Sequence, residues 1–331
     1  MESFTIDHLD LEDEDFNHFN LSYVDLIDYT ETSNIYILYL FICLFGLVGN
    51  ALAIYVILRY QKMRTVTNIY VLSLAVADLL HMICLLIDAI EVALSYWPLG
   101  GFMCRVYWTL LTWTKCSSIY FLVTLSISDC VLVYFPAFSN QRLGSKIAIG
   151  ASSFVWALCL LLVIPLFRYS DMNEFYSCKI IWPEPIIFWS QIIISYQLSM
   201  TFALPFLIIC ICLILTIVRI KQQEKPTSST IKQNLIMIVA LYIVFIIFWL
   251  PVDVLETMKV YRNLEDLSDV MLYIVLLIPY LKSCLYPILY GFLSPGFKEA
   301  YKNVLLCRKG ADTKSTQEIS DGKQDAPSSN C

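Results

Sequence analysis

Charge is scarce in this chain: Asp, Glu, Lys and Arg make up only 15% of its 331 residues, against 58% hydrophobic and 14% aromatic. So little charge cannot cover the surface of an ordinary soluble protein of this length, and the composition points to a membrane protein. Metal-type Cys/His spacings, phosphate-binding loops and nucleophile elbows are missing too. Nothing in the sequence therefore argues for an enzyme, and no cofactor or metal is expected. The first 34 residues contain no Lys or Arg. No cationic signal-peptide start is therefore expected, and the first apolar run is expected to act as its own uncleaved insertion signal.

What the chain does have is long apolar runs, over about residues 35–59, 68–96, 104–135, 147–167, 186–220, 232–258 and 270–292. Each reaches the ~20 residues that span the hydrocarbon of a bilayer. In lipid every backbone N–H and C=O must be satisfied within its own segment, so these seven runs are expected as helices. The short connections place Arg59, Lys62, Arg64, Arg142, Lys146, Arg219, Lys221, Lys225 and Lys232 on one side, with Lys298, Lys302, Arg308 and Lys309 of the tail. The positive-inside rule makes that side cytoplasmic and puts the N-terminus outside, consistent with an odd number of crossings. The expected fold is an all-α seven-transmembrane helix bundle over residues 35–293, with an acidic extracellular tail over 1–34. An amphipathic cytoplasmic helix over 294–306 and a flexible tail over 307–331 follow it.

The N-terminal tail carries Asp7, Asp10, Glu12, Asp13, Glu14, Asp15, Asp25, Asp28 and Glu31. It either steers a cationic extracellular ligand toward the bundle or serves only as a solubilising arm. Asn20-Leu21-Ser22 is an N-glycosylation sequon on the same side, a short and weak match. Most of the 12 cysteines fall inside spans, where a thiol is a small apolar group. Cys104 opens the third span and Cys178 lies in the second outer loop; in an oxidising compartment, a disulfide between them is the best reading. Cys307, just past the amphipathic stretch, is either a palmitoylation site or an unmodified juxtamembrane cysteine.

Several local strings carry a resemblance. Gly49-Asn50, Leu74-Ala75-Val76-Ala77-Asp78, Trp156, Pro205, Phe248-Trp249-Leu250-Pro251 and Pro287 to Tyr290 occur in order, one marker in nearly every span. Together they resemble the rhodopsin-like G-protein-coupled receptors. Thr65 to Tyr70, Trp182-Pro183-Glu184-Pro185, Leu289 to Ser294 and Leu306 to Gly310 look like somatostatin receptors, and the likeness covers about residues 35–310. It implies a cell-surface peptide receptor with heterotrimeric G protein and arrestin as partners, embedded in membrane lipid. Physical reading agrees: Pro205, Pro251 and Pro287 each remove a backbone donor and create hinges, and Trp249 is bulky enough to couple a ligand to such a hinge or simply to pack the core.

The chain departs from that pattern at its switches. Where the family reads Asp-Arg-Tyr, this sequence has Ser128, Asp129 and Cys130. The resemblance implies that the missing arginine would have met the G protein, so G-protein coupling is expected to be impaired; Asp129 is expected to pair instead with Arg219 or Lys232. Tyr286 stands where the family has Asn before Pro287, and Lys282 five residues before that proline. The family's sodium site centres on the aspartate that aligns with Asp78, and the Lys282 ammonium is expected to take the ion's place, since a lysine at membrane depth needs a counter-charge. The opsin lysine position is Tyr280 here, about 200° around the helix from Lys282, which argues against a retinal-binding photoreceptor.

In somatostatin receptors an aspartate of span three binds the ligand's lysine; the aligned residue is Leu111. One turn deeper, Lys115 points into the bundle. Asp253 and Glu256 share one face of span six beyond Trp249, and Asp88 and Glu91 share one near the outer end of span two. Either Lys115 is neutralised by Asp253 and the remaining acids form a rim for a basic peptide, or Lys115 binds an acidic group of the ligand. Four acids against one base favour the first. The functional alternatives are a signalling receptor, a non-signalling decoy, scavenger or heteromer partner, and, remotely, an ion transporter. Tail hydroxyls at Thr313, Ser315, Thr316, Ser320, Ser328 and Ser329 are either arrestin-docking phosphosites or linker.

Overall fold

A computed structural model describes residues 10–135, 141–173, 176–222, 229–262 and 269–306. Its elements in chain order are α1 (Asp10–Arg59), a 3₁₀ turn (Gln61–Met63), α2 (Val66–Leu94), α3 (Gly100–Tyr134), α4 (Gln141–Tyr169), β1 (Ser170–Met172), β2 (Cys178–Ile180), α5 (Ile186–Leu198), a π-helical turn (Ser199–Ala203), α6 (Leu204–Gln222), α7 (Ser229–Arg262), α8 (Asp269–Leu293) and α9 (Pro295–Leu305). Among the described residues, seven stretches are long and apolar enough to cross a membrane: Ile35–Arg59, Val66–Leu94, Gly100–Tyr134, Leu143–Tyr169, Ile186–Gln222, Ile231–Arg262 and Tyr273–Leu293. The fifth span joins α5, the π turn and α6 into one continuous rod. The seven-helix bundle read from the sequence is therefore the fold.

Local chemistry explains the ends of the helices. Thr65 caps α2 by accepting from the Asn68 amide at 3.2 Å, satisfying a donor that a helix start leaves unpaired, and Asn68 Nδ2 donates to the Met63 carbonyl of the preceding turn at 2.7 Å. Gly100 opens α3 with φ +75°, a conformation that a side chain resists. The π turn ends at Ala203, two residues before Pro205, whose missing N–H interrupts the regular ladder there. Between α1 and α8 the backbones come close: a Cβ at Gly49 would lie 3.2 Å from the Pro287 ring, so glycine permits this approach.

Phe154, Leu161, Ile187, Leu207 and Ile247 are among the many large apolar side chains that face outward, the surface a lipid-embedded bundle presents. Inside, one apolar cluster around Leu74, Leu122, Leu241 and Tyr290 fills the half of the bundle nearer α9, and another around Trp97, Cys104 and Tyr107 fills the half under the hairpin. Two features differ from the sequence reading. From Asp10 onward the acidic segment is continuous with the first span as helix. The second outer loop contains an antiparallel hairpin pairing Ser170 with Ile180 and Met172 with Cys178, whose three-residue strands are too short to leave a periodic signal.

Candidate functional site

Three tiers of polar side chains run down the inside of an otherwise apolar bundle. In the deepest, Lys282 of α8 donates to Asp78 of α2 at 2.7 Å and to Ser118 of α3 at 3.2 Å, while Ser283 donates to the same carboxylate oxygen at 2.8 Å. Asn50 ties α1 into this tier by donating to the Ser283 carbonyl at 2.8 Å. Lys282 and Asp78 are 1% and 0% exposed, so each ion depends on the other for the solvation it has lost. The ammonium also lies 4.8 Å from the centroid of the Tyr286 ring.

In the middle tier, Lys115 of α3 donates to both carboxylate oxygens of Asp253 on α7, at 2.6 and 2.8 Å. The same ammonium sits 4.5 Å from the Trp249 ring centroid and 5.8 Å from that of Phe202. Asp253 stands one helical turn beyond Trp249, so one lysine grips both the carboxylate and the indole. His81 of α2 stacks on Tyr280 at 4.4 Å, lies 5.5 Å from the Trp249 ring, and has Nδ1 3.2 Å from the Thr114 hydroxyl.

The upper tier opens beneath the hairpin. Asp88 accepts from the Tyr280 hydroxyl at 2.5 Å. Asp88, Glu91, Leu111 and Glu256 are all half-buried, the exposure expected of residues lining the mouth of a cavity. The Cys104–Cys178 disulfide ties the hairpin to the start of α3. Beside it, Arg105 donates to Asp171 at 2.6 Å, and this hydrogen bond holds the Asp171 carboxyl below its usual range. Trp97 completes the seam, its amide donating to the Tyr176 carbonyl at 2.7 Å.

At the opposite end of the bundle the expected ion pair does not form. Asp129 is 4% exposed, and its Oδ1 lies 3.5 Å from Asn234 Nδ2, a long contact; no ion pair to Arg219 or Lys232 exists among the described residues. Arg219 instead stacks 5.6 Å from the Tyr134 ring centroid. Asp129 is enclosed by the bundle, whereas Lys232 lies in the first turn of α7 on its exposed side, so a shared end of the bundle did not bring the charges together. Ser128 and Cys130 flank it on α3, both half-buried. Asn234 also donates to Thr67 at 3.1 Å, linking α7 to α2. Farther in, the Tyr286 hydroxyl donates to the Leu241 carbonyl at 3.0 Å and ties α8 to α7, with Pro287 and the fully buried Tyr290 following.

Asn20 lies where only the helical backbone is described, and Cys307 with the tail hydroxyls falls outside the described residues. His81, Thr114, Ser283 and the Tyr280–Asp88 contact were not singled out from the sequence. His81 left one signal: of the three histidines it alone falls within an apolar run. Among the described residues there is no cluster of His, Cys, Asp or Glu suited to a metal ion.

This arrangement, seven spans enclosing a polar shaft with a disulfide-anchored hairpin over its mouth, is that of a seven-transmembrane receptor. Residues 49–290 match the family described as 7 transmembrane receptor (rhodopsin family), and the chain belongs to that family. Within it the chain is similar to somatostatin receptors. It is 38% identical to somatostatin receptor type 5 of Bos taurus over 83% of its own length and 76% of the relative's. It is 35% identical to the type 2 receptor of Mus musculus over 90% and 84%, and 34% identical to the type 3 receptor of Homo sapiens over 82% and 67%. These relatives are receptors, not enzymes.

Proposed function

We propose that this protein is a plasma-membrane receptor, N-terminus outside, for an extracellular basic peptide, and that its ordinary G-protein coupling is impaired. The observation that carries the ligand class is the closed Lys115–Asp253 pair. With Lys115 satisfied by Asp253 at 2.6 and 2.8 Å, Asp88, Glu91 and Glu256 remain as half-buried acids at the mouth. A cationic side chain entering there gains counter-charges, whereas a carboxylate would have to break a buried ion pair before finding one. The acidic segment before the first span adds attraction at long range. In the deep tier the Lys282 ammonium occupies the space beside Asp78 that relatives give to sodium.

A non-signalling decoy, scavenger or heteromer partner is the second reading, and a specific pair of observations favours keeping it: Asp129 replaces the arginine of the relatives, and Tyr286 fastens α8 to α7. Arrestin recruitment by a phosphorylated tail, glycosylation at Asn20 and palmitoylation at Cys307 fit either reading.

The test is a binding screen of secreted peptides, basic and acidic, on cells displaying the receptor, read alongside arrestin recruitment and nucleotide exchange. A basic peptide should bind, and Glu256→Gln should weaken it about tenfold, the equivalent of ~1.4 kcal/mol. Selective capture of acidic peptides, lost in Lys115→Met, would reverse the ligand assignment. Binding and internalisation without nucleotide exchange would identify the decoy.

A further inference from the structure

Two complementary groups stand next to each other in the middle tier without meeting. Trp249 is 5% exposed, and its indole N–H, buried in the bundle, has no acceptor among the described residues. His81 is 2% exposed, and its Nε2, equally buried, has no partner among them either. The rings are 5.5 Å apart, centroid to centroid, and tilted by 51°.

The neighbouring hydrogen bonds fix the role of each nitrogen. Thr114 has one hydroxyl proton, which it donates to the Leu111 carbonyl at 2.9 Å. Its oxygen can therefore only accept from the histidine, so the proton of the neutral imidazole is on Nδ1, 3.2 Å away. That leaves Nε2 with an unused lone pair. A buried donor and a buried acceptor, each unsatisfied and one ring-width apart, form a hydrogen bond that the present conformation forgoes.

The reason it is forgone lies with Lys115. Lys115 places its ammonium 4.5 Å from the Trp249 ring and binds Asp253, which stands on the same helix one turn on. The lysine thus holds both the ring and the helix segment that carries it. His81, for its part, cannot swing to the indole without leaving Tyr280, on which it is stacked at 4.4 Å. The indole must make the move.

We propose that His81 is the positioning partner of Trp249: in a second conformation of the bundle the indole N–H donates to His81 Nε2, and the Lys115–Asp253 pair is the catch that keeps them apart in this one. A ligand cation drawn to Asp253 and Glu256 competes with Lys115 for the carboxylate and so loosens the catch, whereas contact with Glu91 alone does not. Ligand binding is in this way converted into the exchange of one set of buried contacts for another, the differential stabilisation that a two-state receptor needs. This rests on the receptor reading, since it supposes a second conformation, but its test requires no ligand.

The 331-residue receptor, labelled with ¹⁵N-histidine in lipid nanodiscs, contains three histidines, and the His81→Gln variant assigns the one in the bundle. In the native sequence the Nε2 signal should be that of an unprotonated nitrogen with a free lone pair. In Lys115→Met/Asp253→Asn, which removes both charges together, it should move upfield as the nitrogen accepts a hydrogen bond. The added change Trp249→Phe should abolish that movement. If this variant does not reach the surface, Lys115→Met/Asp253→Leu provides a second catch-free chain. Thermal unfolding supplies an independent reading: in the catch-free background His81→Phe should lower the midpoint and His81→Gln, which keeps an acceptor, should recover it. The proposal is overturned if Nε2 is already hydrogen-bonded in the native chain, if removing the catch leaves its signal unmoved, or if the shift persists without the indole N–H. None of these outcomes bears on whether the receptor binds basic peptides, which the peptide screen decides separately.

Discussion

Lys282 and Asp78 lie 204 residues apart in sequence and 2.7 Å apart in the bundle, joining α8 to α2 at a depth where neither side chain reaches the surface. Removing one partner leaves the other charged and unpaired in a low-dielectric interior, at a cost of ~3–5 kcal/mol. Lys282→Met and Asp78→Asn should each lower thermal stability in detergent, and the double variant should recover most of the loss. Lys282→Asn should in addition make stability rise with sodium, because Asp78 and Ser283 would again face an unclaimed cation position, while the native chain should be indifferent to sodium. A cycle in which the two losses simply add would mean that the pair contributes no coupling.

Two of the links that hold the hairpin over the pocket differ greatly in strength. The Cys104–Cys178 disulfide closes a 74-residue separation, so Cys104→Ser should cost about 2–4 kcal/mol and reduce surface expression and peptide binding. The Arg105–Asp171 pair, with both side chains more than a third exposed, should contribute under ~1 kcal/mol, and Asp171→Asn should leave expression nearly unchanged. Its pH dependence has a defined sign. Arg105 holds the Asp171 carboxyl below its usual range, so the contribution is present above the unfolded value of about 3.9 and is lost as pH falls through the lower folded value. Between pH 5 and 8 the hairpin should therefore show no change from this pair, a point that hydrogen exchange across Ser170–Met172 can check.

Signalling should respond to the cytoplasmic half of the bundle. Tyr286→Phe removes one hydrogen bond to the Leu241 carbonyl, worth about 1 kcal/mol, and should loosen α8 from α7 without altering the Lys282–Asp78 pair. Asp129→Arg combined with Ser128→Asp and Tyr286→Asn should raise G-protein nucleotide exchange well above that of the native chain. Strong exchange by the native receptor with its own peptide would defeat the proposal of impaired coupling.

The contrast between Lys282 and Asp129 shows how far the sequence could be read. A lysine in a span must find a counter-charge, and only a few acids lie at comparable depth, so Asp78 was the natural partner for Lys282 and Asp253 for Lys115. Asp129 lies near the end of its span, where the sequence alone leaves water, Asn234 and basic residues of several helices open as partners; depth did not select among them, and the structure encloses the carboxylate instead. The assignment to Arg219 or Lys232 failed for that reason.

The sequence by itself determined the seven spans, the Cys104–Cys178 link and the family, because hydrocarbon thickness, the obligatory satisfaction of backbone polar groups and ordered motifs are written along the chain. Only the tertiary structure decided what faces what. The grip of Lys115 on both Asp253 and Trp249, the tether from Tyr286 to Leu241, and the unmet nitrogens of His81 and Trp249 depend on how four helices rotate and tilt against one another. Packing of whole helical faces sets those angles to within a fraction of a side chain, and no local run of residues encodes them.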